Sequence, residues 1–82
     1  MGQKPIIVSP NSKEILLVSK KTISLRAKAE ADVRQIFWFA GRQFVSKAAP
    51  NQVLEWTVAA GDYEITALDD HGRAGSHSVT VR

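Results

Sequence analysis

The sequence predicts an all-β domain, an immunoglobulin-like antiparallel β-sandwich of about seven short strands. Three observations support this fold class. Apolar and polar residues alternate in several short segments, as they do along a half-buried strand. Turn-forming residues separate these segments at short intervals, which is typical of sandwiches and barrels. A Trp in an early-middle segment, Trp38, precedes a Gly-Asp-Tyr step that opens the penultimate segment.

The alternation is clear in four segments. The segment TISLRAKA, residues 22–29, places Ile, Leu and Ala residues on one side and Thr, Ser, Arg and Lys residues on the other. The same period of two recurs in VLEWTV (53–58), DYEITA (62–67) and HSVTV (77–81). Helical spacing fits none of these windows as well, and they are rich in β-branched and aromatic residues. Each is therefore predicted to be a strand.

Turn-forming residues lie between the predicted strands. They occur at residues 10–12 (PNS), 29–32 (AEAD), 40–41 (AG), 48–51 (AAPN), 60–62 (AGD) and 69–73 (DDHGR). In the last of these, Asp69 is expected to cap the turn and Gly72 to supply a positive φ.

The aromatic residues predict how the two sheets meet. In immunoglobulin-like domains a Trp of strand C fills the core, and a Tyr near the start of strand F bonds back to the backbone. Trp38 and Tyr63 occupy comparable places in this order. The predicted core comprises Ile23, Leu25, Trp38, Trp56, Tyr63, Ile65 and Val79.

Length and composition limit the range of possible functions. Eighty-two residues predict one domain, residues 1–82, with residues 1–4 a remnant of a linker or of cloning. The chain has no cysteine, so neither a disulfide nor a thiolate metal site can stabilise its thin core. With 44% hydrophobic and 23% charged residues, it is not a disordered chain.

The charge and hydropathy patterns argue against two classes of partner. The net charge is +3, but only Lys20 and Lys21 are adjacent, whereas nucleic-acid-binding surfaces usually carry a clustered basic stripe. No segment approaches the roughly 20 apolar residues that a membrane helix needs. We therefore expect neither nucleic-acid binding nor membrane contact by this fragment.

An ordered set of short motifs resembles the C-terminal domain of bacterial penicillin-binding protein 1C. The motifs lie in PIIVSPNSKEILL (5–17), IFWFAGR (36–42) and residues 54–82. The matching positions are Trp38, Phe39, Gly41, Arg42, Trp56, Gly61, Tyr63, Asp69, Gly72 and Arg73. Ala40 and Ala60 depart from the family, in which Asn and Pro are common there. Since Ala tolerates positive φ less well than Asn, we expect a different turn type at the Ala40-Gly41 hairpin.

The resemblance implies a non-catalytic accessory module of a peptidoglycan synthase. The parent protein is expected to be membrane-anchored, with glycosyltransferase and transpeptidase domains outside the cytoplasmic membrane, which would make this domain periplasmic. Its expected partners are the parent's other domains, a periplasmic protein or peptidoglycan. The resemblance also implies that the transpeptidase motifs lie upstream. None is complete here, since the Lys-Thr pair of SKKT (19–22) is followed by Ile23 rather than Gly.

Polar residues near the last turn suggest catalysis or metal binding only weakly. Asp69, Asp70, His71, Ser76 and His77 lie close in sequence, but no nucleophile elbow is present. A metal would need three or four converging ligands from a turn and a strand together. We therefore predict no enzyme activity, no metal and no cofactor. The hairpin residues Asp69, Asp70, His71 and Arg73 remain a secondary candidate for partner contact.

The segment IFWFAGRQF supplies the first candidate surface. Successive side chains of a strand point to opposite faces, so a buried Trp38 directs Phe37 and Phe39 outward. Together with Arg42, these rings are predicted to form a docking surface. Two alternatives remain. The rings contact glycan strands, as in a carbohydrate-binding module, or they are covered by loops, by the Phe44-Val45 strand or by a neighbouring domain.

Overall fold

The computed structural model describes residues 3–9, 14–16 and 22–82, and within them it contains eight strands and no helix. The strands are β1 (Ile6–Ser9), β2 (Glu14–Leu16), β3 (Thr22–Lys28), β4 (Ile36–Ala40), β5 (Gln43–Ala48), β6 (Leu54–Thr57), β7 (Gly61–Asp69) and β8 (Ala74–Val81). The predicted turn at residues 10–12 and most of the SKKT segment lie outside the described residues.

The strands form two sheets packed as a sandwich, which confirms the predicted fold class. One sheet has the order β1-β3-β6, and the other has the order β2-β8-β7-β4-β5. All neighbours pair antiparallel except β2, which runs parallel to β8. The N-terminal part of the chain thus contributes β1 to one sheet and β2 to the other.

The core lies between the sheets and is formed by the inward faces that the alternating pattern predicted. Trp38 is the largest fully buried side chain and is 1% exposed. It packs in one cluster with inward residues of both sheets, including Ile23 and Leu25 of β3 and Ile65 of β7. Trp56 and Tyr63 are partly buried against this cluster, and Val79 is buried within it. All seven predicted core residues therefore belong to a single core.

Tyr63 makes the backbone contact that its position predicted. Its hydroxyl donates a hydrogen bond to the carbonyl of Ala59 at 2.8 Å, which fixes the corner leading into β7. Its ring meets Trp56 edge to face, with centroids 5.2 Å apart. This contact ties the end of β6 to the start of β7.

The β4–β5 hairpin turns on Gly41 and Arg42, which lie between the paired residues Ala40 and Gln43. Gly41 has φ of +58°, whereas Arg42 is not among the residues with positive φ. A two-residue hairpin loop with positive φ only at a first-position Gly fits a type II′ turn. Ala40 is therefore the last strand residue, and Asn is not needed there.

Trp38→Ala is expected to lower the free energy of unfolding by about 3–5 kcal/mol, because it removes the largest buried side chain of a small core. Chemical denaturation of the isolated domain measures the change. Val53→Ala, at a residue that is 52% exposed, is the control and should alter stability little. An unchanged unfolding midpoint for the Trp38 variant would contradict the burial of this ring.

Candidate functional site: an aromatic face and a charged hairpin

The outer surface of the five-stranded sheet carries an apolar cluster at the end nearest β5. Phe37 pairs across the sheet with Leu68, and Phe39 pairs with Phe44. These four residues alternate with inward side chains such as Trp38, so they lie on the outward side of the sheet. We call Phe37, Phe39, Phe44 and Leu68 the aromatic face.

The rings of the aromatic face differ in exposure. Phe37 and Phe39 are half-buried, while Phe44 is 52% exposed. Phe39 and Phe44 meet edge to face with centroids 5.6 Å apart. Phe44 was expected only as cover for the two outward rings, and it does cover part of Phe39. It is nevertheless the most exposed ring of the cluster, because it lies on an edge strand.

Polar pairs occupy the β7–β8 side of the same surface, beginning at Thr66, which pairs with Phe39. The Thr66 and Ser76 hydroxyls lie 3.0 Å apart, and the Thr80 hydroxyl donates to the Asp62 carboxylate at 2.7 Å. In both pairs, a side chain of β7 and one of β8 supply each other with a hydrogen-bond partner. The apolar part of the surface is therefore confined to the region around β4 and β5.

Two cationic side chains border the aromatic face. Arg42 is exposed in the hairpin turn, and Lys47 is exposed on β5 directly opposite Phe37. Within the described parts of the chain, no aromatic ring packs against the Arg42 guanidinium. Arg42 therefore adds positive charge beside the rings and does not cover them.

The β7–β8 hairpin is organised around the Asp69 carboxylate, whose side chain is fully buried. Its Oδ1 accepts hydrogen bonds from the backbone amides of His71 and Arg73, both at 2.9 Å. Its Oδ2 accepts a bond from Arg73 Nε at 2.7 Å. Gly72 has φ of +86° at the tip. The predicted roles of Asp69 as turn cap and of Gly72 are confirmed.

Residues from the β3–β4 connection extend this hairpin network. Asp32 Oδ1 accepts a bond from Arg73 at 3.3 Å, and the Asp32 carbonyl lies 3.0 Å from His71 Nε2. The Asp70 carboxylate accepts a bond from the Arg34 amide at 3.3 Å. No local sequence pattern indicates that Asp32 or Arg34 contacts this hairpin, since they lie about forty residues from it. Together these contacts fasten one end of the sandwich.

The pKa of the Asp69 carboxyl reflects opposing effects. Burial raises this pKa, but hydrogen bonds from the Arg73 and His71 amides, together with the Arg73 guanidinium, lower it below the ordinary value of 3.8. For Arg73 the two effects have the opposite signs. Burial lowers the pKa of its guanidinium, but the bonds to Asp69 and Asp32 raise this pKa above its usual value. The pair is therefore charged at neutral pH.

The polar residues of the last hairpin do not converge on one point. The Ser76 hydroxyl contacts Thr66 on the outer surface, and His77 follows it on the opposite face of β8. The His71 ring is directed at Asp32 instead. Among the described residues, no group of three or more His, Asp or Glu side chains has an arrangement that could hold a metal ion. The same residues include no helix long and apolar enough to span a bilayer.

Comparison with known proteins assigns the chain to a family. The model of the penicillin-binding protein C-terminus family matches residues 1–81. The chain belongs to this family. The resemblance inferred from the sequence motifs is thereby confirmed, and the chain is an accessory domain of the penicillin-binding protein type. No curated protein matches it.

Solved structures with similar folds support the sandwich assignment. A fibronectin(III)-like module of Clostridium thermocellum CbhA is 21% identical with a TM-score of 0.76, over 94% of this chain and 93% of the module. An engineered protein is 16% identical with a TM-score of 0.70, over all of this chain and 20% of that protein. CopC from Methylosinus trichosporium OB3b is 23% identical with a TM-score of 0.53, over 94% and 92% of the two chains. At these identities the likeness concerns the fold alone.

The family motif at the hairpin now has a physical explanation. Asp69, Gly72 and Arg73 are the residues that form the buried capping network, so their spacing serves to shape the turn. The predicted docking surface of Phe37, Phe39 and Arg42 comes together at the β4–β5 hairpin, but its role in binding stays a prediction.

Asp69→Asn should lower the melting temperature at neutral pH by on the order of 10 °C, because the amide cannot match the charged bonds to Arg73. The contribution of Asp69 to stability is fully present above its unfolded-state pKa of about 3.8. It decreases as the pH falls below that value, and it is lost once the pH passes below the lowered pKa of the folded state.

Thermal melts of the wild type and of Asp69→Asn at neutral and at acidic pH test this direction of the pH dependence. The gap between their melting temperatures should narrow as the pH falls. Glu64→Gln, at an exposed carboxylate of β7, is the control and should change the neutral-pH melt little. A difference in melting temperature that stays constant across this pH range would show that the charge of Asp69 does not contribute to stability.

Proposed function

We propose that this domain is a non-catalytic docking module of a bifunctional peptidoglycan synthase, penicillin-binding protein 1C, on the periplasmic side of the inner membrane. It binds the catalytic portion of the same protein through the aromatic face. Family membership and the sandwich fold support the accessory role. The docking role is supported chiefly by the outward apolar cluster on a sheet whose other face fills the core.

The composition of the aromatic face favours a protein partner. Phe37, Phe39 and Leu68 keep part of their apolar surface open, and Phe44 is more open still. Rigid aromatic side chains bury a large area for little loss of conformational entropy, which makes them effective anchors in interfaces. Exposed apolar clusters on small soluble domains commonly mark interaction sites.

The charges around the face indicate the chemistry of its partner. Arg42 and Lys47 flank the rings, so a complementary surface would be apolar at its centre and acidic at its edge. The contact area offered by four side chains is small compared with a stable interface between separate proteins. Attachment within one polypeptide supplies the high effective concentration that such a weak contact needs.

The double variant Phe37→Ser, Phe39→Ser should keep the fold, because neither ring belongs to the buried core. It should weaken binding to the separately produced catalytic portion by about tenfold or more, or ~1.4 kcal/mol. Titration calorimetry measures the affinity, and circular dichroism checks the fold. Val53→Ser is the control, because it removes an exposed apolar side chain that lies outside the aromatic face.

Three outcomes would contradict this proposal. Unfolding of the double variant would show that the rings are structural, and Phe44→Ser would then test the face through its most exposed ring. Unchanged binding by a folded variant would place the contact elsewhere, with the Asp69–Arg73 hairpin as the next surface to examine. Retention on purified peptidoglycan sacculi that depends on Phe37 and Phe39 would indicate a carbohydrate-binding face instead.

The isolated domain should not react covalently with β-lactams. Acylation needs a nucleophile activated by a neighbouring base, and the Ser76 hydroxyl lies beside Thr66 on the outer surface. Mass spectrometry after incubation with a fluorescent penicillin tests this expectation, with an intact transpeptidase domain as the positive control. A mass increase equal to one penicillin would contradict the non-catalytic assignment.

A further inference from the structure

A groove opens on the side of the sandwich where β5 and β6 are the last strands of their sheets. Its volume is about 340 Å³, which is within the usual range for small-ligand sites. Trp56, Val58 and Tyr63 contribute to its inner side, and Gln43 and Thr57 contribute at the two strands. Phe44 belongs to both this groove and the aromatic face. The inner residues of the groove differ from the aromatic face, because they lie on the side of the sheets that packs the core.

The aromatic rings of the groove are held in fixed positions. Trp56 and Tyr63 pack edge to face at an interplanar angle of 81°, and the Tyr63 hydroxyl is bonded to Ala59. Trp56 is only half-buried, so part of its indole remains open to a ligand. A rigid ring that is partly open provides a stacking surface at little entropic cost.

The chemistry of the lining restricts the ligand. None of the described residues that line the groove carries a charge. Phosphates, carboxylates and metal ions therefore meet no oppositely charged side chain among these residues. The Gln43 amide and the Thr57 hydroxyl can each donate and accept hydrogen bonds. Rings combined with neutral polar groups suit a ligand that has both apolar C–H faces and hydroxyl or amide groups.

We propose that this groove binds neutral pyranose units of a linear glycan, with a sugar ring packed on Trp56 and its polar groups bonded to Gln43. An extended peptide is the competing occupant, since strand edges can accept an added strand. Two features of β5 oppose strand addition: a bulge interrupts its pairing opposite Trp38 and Phe39, and Lys47 is exposed on the edge. Strand β6 has only four residues, Leu54–Thr57.

Nuclear magnetic resonance of the ¹⁵N-labelled domain tests the proposal without any substitution. The probe is the β-1,4-linked tetrasaccharide of N-acetylglucosamine, titrated to millimolar concentration. The amide signals of Gln43, Thr57 and Ala59 should shift, while those of Phe37 and Leu68 should not. A hexapeptide of alternating Val and Thr is titrated in parallel as the probe for strand addition.

Two variants then assign the contact to side chains. Gln43→Ala, at an exposed position, and Trp56→Leu should each weaken tetrasaccharide binding by about tenfold, or ~1.4 kcal/mol. Trp56→Phe keeps an aromatic ring and should retain most of the affinity, whereas Ser78→Ala on the outer surface is the control. If Trp56→Leu does not fold, Gln43→Ala still tests the site.

The inference would be overturned by any of three results. These are an absence of shifts with the tetrasaccharide, shifts centred on the aromatic face, or groove shifts produced by the hexapeptide alone. Because docking is tested with Phe37 and Phe39 and glycan binding with Gln43 and Trp56, either function can fail without the other.

Discussion

Burial of Trp38 between two sheets is the contact on which the rest of this domain depends. The chain has no cysteine, so no disulfide joins the sheets, and their contact depends mainly on side-chain packing. Trp38 is the largest fully buried side chain in that core. Its inward position also sets the orientation of its neighbours, because adjacent residues of a strand face opposite ways. The outward direction of Phe37 and Phe39 is therefore a consequence of core packing as much as of any binding role.

Local patterns in the sequence were sufficient to predict the strands, their inward faces and the tyrosine corner. Side-chain parity is a property of each strand by itself, so Trp38 and Leu25 could be assigned to the core without knowledge of their neighbours. The roles of Asp69 and Gly72 were predictable for the same reason, since a turn bonds to its own backbone.

Features that depend on contacts between residues far apart in the sequence could not be predicted in the same way. Nothing local indicates that Asp32 contacts the last hairpin or that β2 runs parallel to β8. The groove beside Trp56 arises only because β5 and β6 end their sheets on the same side of the sandwich. The exposure of Phe44 likewise follows from the position of β5 at an edge. Alternation specifies which face a residue occupies, but sheet order decides whether that face is covered.

The parallel pairing of β2 with β8 has a mechanical consequence. Tension that pulls the N-terminal end of β2 away from the C-terminal end of β8 acts along both strands in opposite senses. The hydrogen bonds between them are then loaded in shear, so that they must break together, whereas a peeling force would break them one at a time. Tension applied between these two strand ends would therefore meet a cooperative resistance at the β2–β8 pair.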